Sequence, residues 1–270
     1  MDFHSMLKTA KQAKGRGAPP RSSGPDDESA QLHWAAAVDL GGQLTVGDDG
    51  FGDLSYTADF VTNEQAAYLK TAIEENQFET LFGRQLQNWG GVPHPSGTIL
   101  EPLPLFLRQL GAKLVSSGVF EEPPNQALVN KYENGQGIAP HADGPNFKSK
   151  AAIISLGSSA VLRFHHNSAV IARVLLEPNS LLVFSGDAFD KLKHSIEETT
   201  MEPLNPCDNL HLLGNPNPPN TITRGEVRIS ITLRHVSKIY KVVDEIDLID
   251  PQLRTEMARR KQWWKQAISQ

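Results

Sequence analysis

Residues 226–236 read EVRISITLRHV. Successive side chains of a strand point to opposite faces, so Val227, Ile229, Ile231 and Leu233 share one side, and Arg228, Ser230, Thr232 and Arg234 the other. The apolar side belongs against a core. The second side carries two guanidiniums and two hydroxyls. Such a row either faces water or lies against an anion, because arginine offers a planar fork that matches a carboxylate.

A second stretch gives that anion a reason to be there. Residues 139–147 read APHADGPNF, with His141 and Asp143 one residue apart. In extended chain, residues i and i+2 project to the same side, so an imidazole and a carboxylate can converge on one ion. His194, in KLKHSIE just past an expected strand, is the best third ligand. Two histidines and one carboxylate leave open positions on the metal, the pattern of non-haem Fe(II) oxygenases. Zinc accepts the same donors. A dicarboxylic cosubstrate chelating iron through a keto-acid end would need an arginine for its far end. Asn130 and Tyr132 share a side of an earlier strand and precede the ligands by a few residues. His165 and His166 are rival ligands, but neighbours on a strand point opposite ways, so both cannot serve.

Composition narrows the classes. The 270 residues carry a net charge of −5, so no global basic field draws the chain onto nucleic acid. One cysteine, Cys207, excludes a disulfide framework and a cysteine-based zinc site. No apolar run has membrane-span length and the start lacks a signal-peptide core. Cytoplasm and nucleus are therefore the expected locations, with no membrane partner and a monomeric state. Residues 1–43 are expected as a disordered tail. Residues 44–122 are read as a helical and substrate-lid region. Its first helix follows a capping box at Thr62 and Gln65 and its second covers 104–116, with a polar loop around Gly90 and Gly91 between them. Residues 123–240 hold many short strands, interrupted by a Pro- and Asn-rich surface excursion at 201–221. Residues 241–270 are read as a C-terminal helical extension, in which Pro251 opens a helix running from Gln252 to about Ile268 and carrying Trp263 and Trp264. The fold class is α+β, mainly β, with a jelly-roll core.

Taken together, Asn130-Lys131-Tyr132, His141-Ala142-Asp143-Gly144, His194 and the 228–234 run RISITLR resemble the signature of the AlkB-type Fe(II)/2-oxoglutarate dioxygenases. Residues 83–95, GRQLQNWGGVPHP, are similar to the AlkB-homologue branch numbered six in mammals and plants. The resemblance covers roughly 56–236 and implies a double-stranded β-helix with N-terminal helices over the site. It implies Fe(II) on His141, Asp143 and His194, and 2-oxoglutarate held by Asn130, Tyr132, Arg228, Ser230 and Arg234, with O2 as oxidant. Ser230 stands where the founding repair enzymes carry Asn. Pro145 replaces an acidic residue with which those enzymes contact the damaged base. The 201–221 excursion lengthens the interval between His194 and Arg228.

The implied reaction is oxidative hydroxylation or demethylation of a macromolecule, with alkylated DNA or RNA as the expected substrate. Arg84, Gln87, Asn88 and Trp89 are the candidate substrate contacts, an aromatic ring for stacking beside hydrogen-bonding groups. Trp89 suits equally a plug between helix and β core. Two alternatives stay open: a protein hydroxylase or demethylase with the same iron site, and a non-catalytic partner-binding module.

Overall fold

The computed structural model describes residues 34, 36–44, 54–91, 97–98 and 100–239. In chain order the elements are β1 (Gln43–Leu44), β2 (Leu54–Thr57), α1 (Asn63–Glu74), β3 (Glu79–Leu81), β4 (Arg84–Trp89), α2 (Leu105–Ser116), β5 (Gln126–Glu133), β6 (Ile138–His141) and β7 (Phe147–Gly157). Then come β8 (Ala160–His166), β9 (Ala169–Leu176), β10 (Leu181–Ser185), α3 (Gly186–Asp190), β11 (Lys193–Ile196), β12 (Met201–Pro203), β13 (Thr221–Thr223) and β14 (Val227–Val236).

The strand that carries EVRISITLRHV lies deep in an eight-stranded sheet of order β1-β2-β10-β7-β14-β5-β4-β3. It pairs antiparallel with β5 and β7 along almost its whole length. Ile229, Ile231 and Leu233 pack with Leu69 and Ile73 of α1 and Leu107 and Leu110 of α2. The capping box opens α1: Thr62 Oγ1 accepts from the Gln65 backbone N–H, and Gln65 Oε1 accepts from that of Thr62. The opposite face of the sheet looks toward a second sheet of order β6-β11-β8-β9. Tyr132, Ile153, Leu162, Phe164 and Phe184 fill the space between the two sheets. This is the double-stranded β-helix, with both faces of the large sheet covered. The polar row of β14 therefore does not meet water: Arg228, Ser230, Thr232 and Arg234 are 4%, 5%, 7% and 2% exposed.

Three expectations need correction. The 44–122 region contributes β1 to β4 to the large sheet as well as its two helices. What reads as a polar loop before Gly90 is strand β4, paired with β5 from Gln85 to Trp89. Polar groups on both of its faces hide the alternation. The expected tail is placed as far back as Trp34, whose ring lies 6.0 Å from that of Tyr68. In the same segment the Val38 N–H donates to Ser117 Oγ. Residues 1–33 of the tail, and the 241–270 extension with its helix expected from Gln252 to about Ile268, lie outside the described residues.

The 201–221 excursion is more than a surface loop. Leu204 and Cys207 pack with Val161 and Leu175. Strand β9 is the edge of the small sheet, and the excursion takes up its free backbone groups. Asp208 accepts from the Arg173 N–H through Oδ2 at 2.7 Å and donates its own N–H to the Arg173 carbonyl at 2.8 Å. Asn209 accepts from the Leu175 N–H at 2.9 Å and donates to its carbonyl at 2.8 Å. An edge satisfied in this way is closed to other strands. Asn209→Ala leaves both Leu175 groups unpaired, and denaturant melts should show a loss of about 2 kcal/mol.

Candidate metal centre

Strands β6 and β11 pair antiparallel so that His141 stands directly opposite His194. Their rings lie 4.3 Å apart between centroids. Asp143 follows β6 by two residues, and Gly144 turns the chain away at φ 91°, a conformation natural to glycine. Among the described residues, His141, Asp143 and His194 form one cluster of donors whose ligand atoms all lie within 4.8 Å of one another. His141 Nδ1 is 2.9 Å from the Ala139 carbonyl. A carbonyl only accepts, so Nδ1 carries the proton and Nε2 keeps its lone pair for a cation.

Electrostatics favour the same occupant. Burial among Phe164 and Phe184, whose rings lie 6.2 and 5.3 Å from that of His194, keeps its imidazole neutral and lowers its pKa to about 3. Burial lowers the His141 pKa as well. For Asp143 burial raises the pKa, but the charge and hydrogen bond of the neighbouring Arg234 guanidinium oppose it most strongly, and the carboxyl lies below its ordinary value. Arg234 Nη1 donates to Asp143 Oδ1 at 2.9 Å. Oδ2 is buried without a partner. Two neutral imidazoles, an ionised carboxylate and an orphaned carboxylate oxygen fit a divalent cation.

A second unfilled group lies along the same interior face. Arg228 Nη2 donates to Ser155 Oγ at 2.9 Å, while its Nε and Nη1 are buried with no partner. Its guanidinium sits 5.6 Å from the centre of the Tyr132 ring. Ser230 pairs in register with Asn130 on one side and Ser155 on the other. Asn130 Oδ1 accepts from Arg84 Nε at 2.9 Å. Residues 130, 132, 228, 230 and 234 thus share one interior face with the triad. Unpartnered guanidinium N–H groups buried in the interior suit a carboxylate.

A family model described as the 2OG-Fe(II) oxygenase superfamily matches residues 55–234. The chain belongs to that superfamily. Its fold and its donor set agree with that membership, and the oxygenase uses Fe(II), 2-oxoglutarate and O2 as its cofactors. It is 30% identical over 204 residues to a protein of Danio rerio named probable RNA/DNA demethylase ALKBH6, spanning 69% of this chain and 86% of that one. It is 31% identical over 155 residues to the tRNA (carboxymethyluridine(34)-5-O)-methyltransferase alkbh8 of Xenopus tropicalis, spanning 51% of this chain and 24% of that one. Among solved structures, OsALKBH1 superposes with a TM-score of 0.48 at 14% identity, over 68% of this chain and 96% of that one.

The oxygenase does not use the whole QNW stretch as a lid. Alternation along β4 sends Gln87 and Trp89 to the helical side of the sheet, away from the triad. Trp89 is 9% exposed and meets Phe106 of α2 edge-on at 6.0 Å. Its indole N–H donates to Gln87 Oε1, and Gln87 Nε2 donates to the carbonyls of Ile73 and Asn76. These two residues tie β4 to the end of α1, and the substrate role expected of them is corrected. Arg84 and Asn88 point to the interior. Asn88 Oδ1 accepts from Gln126 Nε2 at 2.9 Å, and Gln126 Oε1 accepts from Arg234 Nε at 3.1 Å. Gln126 therefore steadies the arginine that steadies Asp143, a part the sequence reading missed. Its place four residues before Asn130, on the same strand face, is the signal that could have found it. Ser155 and Phe147 were missed too; the Arg234 guanidinium lies 3.9 Å from the Phe147 ring centre. His165 faces outward, its Nε2 2.7 Å from Ser195 Oγ. Trp89→Ala should lower stability by roughly 3–5 kcal/mol, read by denaturant unfolding, with metal affinity retained.

Proposed function

We propose that this oxygenase oxidatively demethylates alkylated nucleic acid, with His141, Asp143 and His194 holding Fe(II) and the β14 arginines orienting 2-oxoglutarate. The observation that carries the reading is the occurrence of two unfilled buried groups: an oxygen of Asp143, the carboxylate clustered with His141 and His194, and the Arg228 guanidinium on the same interior face. The nucleic-acid half draws support from the relatives, one named as a probable RNA/DNA demethylase and another as a tRNA-modifying enzyme.

With the metal and cosubstrate bound, 2-oxoglutarate loses CO2 to become succinate, one atom of O2 enters that product and the other enters a substrate C–H bond. Where the carbon is an N-methyl, the hydroxymethyl product releases formaldehyde and leaves the bare nitrogen. The chain's own work is binding, orientation and exclusion of water. Arg228 offers the fork for the far carboxylate, with Ser155 and Tyr132 fixing its plane. Asn130, held by Arg84, has its amide nitrogen left to donate. Arg234 keeps Asp143 ionised and fixed in direction. Phe164 and Phe184 close the far side of His194 against water.

A protein substrate is the second reading, favoured by one observation. Pro145 is exposed, and its carbonyl accepts from Ser237 Oγ at 3.4 Å. The position thus lacks the acidic group with which the repair enzymes contact a base. A turnover screen over methylated DNA, RNA and peptide panels separates the two: nucleic-acid-dependent formaldehyde release supports the proposal, and peptide hydroxylation alone overturns it. In the same assay His141→Ala and His194→Ala should each abolish Fe(II)-dependent succinate formation. Arg228→Gln removes a charged hydrogen-bond partner and should raise the KM for 2-oxoglutarate by about ten- to a hundredfold.

A further inference from the structure

Near the Arg228 end of the interior, Arg224 and Arg163 share the buried carboxylate of Glu202, and Arg228 does not. Arg224 Nε donates to Glu202 Oε1 at 2.9 Å and its Nη2 contacts the same oxygen. Its Nη1 donates to the Gln136 carbonyl at 2.9 Å. Arg163 Nη2 lies 3.3 Å from Glu202 Oε2 and 2.7 Å from Glu197 Oε2. Glu202 is 0% exposed and also accepts from the Val161 N–H at 3.0 Å. Two carboxylates thus balance Arg163 and Arg224. Arg228 has no carboxylate partner among the described residues, and its Nε and Nη1 stay unpaired.

Glu202 comes from the excursion that lengthens the interval between His194 and Arg228. It sits in β12, and Arg224 directly follows β13, the two strands being paired. The Arg224 N–H donates to the Thr200 carbonyl at 2.9 Å, which fixes the hairpin's base. Tyr132, Gln136, Ser158, Ile196, Arg224 and Arg228 line one small cavity. Both arginines therefore border the space beside the proposed site of the far carboxylate, yet Glu202 and the Gln136 carbonyl engage all three nitrogens of the Arg224 fork. A second guanidinium released into that space would stand beside Arg228, within the cavity that both arginines line, and could meet the far end of the dicarboxylate.

We propose that Glu202 is a positioning residue of the cosubstrate pocket: by holding Arg224 it keeps a second guanidinium off the dicarboxylate, and so sets how tightly 2-oxoglutarate and the departing succinate are bound. The inference rests on the reading that Arg228 takes the far carboxylate. Breaking a buried ion pair strands a charge, whereas removing both partners is far better tolerated, and this gives the test two arms.

Calorimetric titration of 2-oxoglutarate and of succinate into the intact protein reads the effect directly. Glu202→Gln should bind both about tenfold more tightly, the gain of one charged hydrogen bond, with stronger inhibition of turnover by succinate. Adding Arg224→Gln to it should return both constants to within about twofold of wild type. Unchanged or weaker binding in Glu202→Gln overturns the proposal, because a merely structural part would weaken binding or leave it alone. Should Glu202→Gln not fold, Glu202→Asp decides, because a shorter carboxylate keeps the charge but loosens its hold on Arg224: tighter binding of both acids supports the proposal, and unchanged or weaker binding overturns it. Failure of wild type to bind 2-oxoglutarate, or full binding by Arg228→Gln, strikes instead at the Arg228 reading.

Discussion

A guanidinium taken out of water with two of its donors unpaired is costly, and the interior of this fold keeps one at Arg228. The chain makes that burial unavoidable. Arg228 lies on a strand held between β5 and β7, and the opposite face of that strand must meet α1 and α2. Register then sends every even-numbered residue from Arg228 to Arg234 inward together. A one-residue slip would drive Ile229, Ile231 and Leu233 into the polar interior and the arginines into the helices. The apolar face of β14 thus fixes the register, and the register fixes the direction of the arginines.

This coupling explains which parts were legible in the sequence. Strands β5, β7, β8, β9, β10 and β14 have β-branched or leucine-rich runs, so their existence and near-boundaries could be read. The capping box at Thr62 located the start of α1. His141 and Asp143 could be paired from spacing alone, since i and i+2 share a side. His194 could be proposed but not placed, because its approach to His141 depends on the register of β11 against β6. Strand β4 was illegible for a physical reason: Arg84, Gln85, Gln87 and Asn88 are all polar, and Arg84, Gln87 and Asn88 find partners on other elements. A polar side chain in a core looks like a loop residue until its hydrogen bonds are known.

The same ambiguity governs Trp89 and Gln87. An indole between amides suits a base-stacking lid, and it suits equally a plug between layers; parity along the strand decides. Gln87 Nε2 reaches the carbonyls of Ile73 and Asn76 at 2.8 and 2.9 Å, which takes up carbonyls at the C-terminal end of α1. Asn88, one residue along, turns inward and joins Gln126 and Arg234. One short strand thus serves packing on one face and the metal centre on the other. Likeness to a family signature could locate the stretch, but it could not sort its residues by face.

Division of labour within Asp143 completes the argument. One carboxylate oxygen is held by Arg234, which is itself held by Gln126 and laid against Phe147. The other oxygen is buried and free. Were Fe(II) held by His141, Asp143 and His194, three protein donors would leave room for a bidentate keto acid and dioxygen together, so long as Asp143 keeps one direction. Arg234 supplies that constraint by anchoring the carboxylate and keeping it ionised, which explains why an arginine lies beside a cation site that its own charge would otherwise oppose.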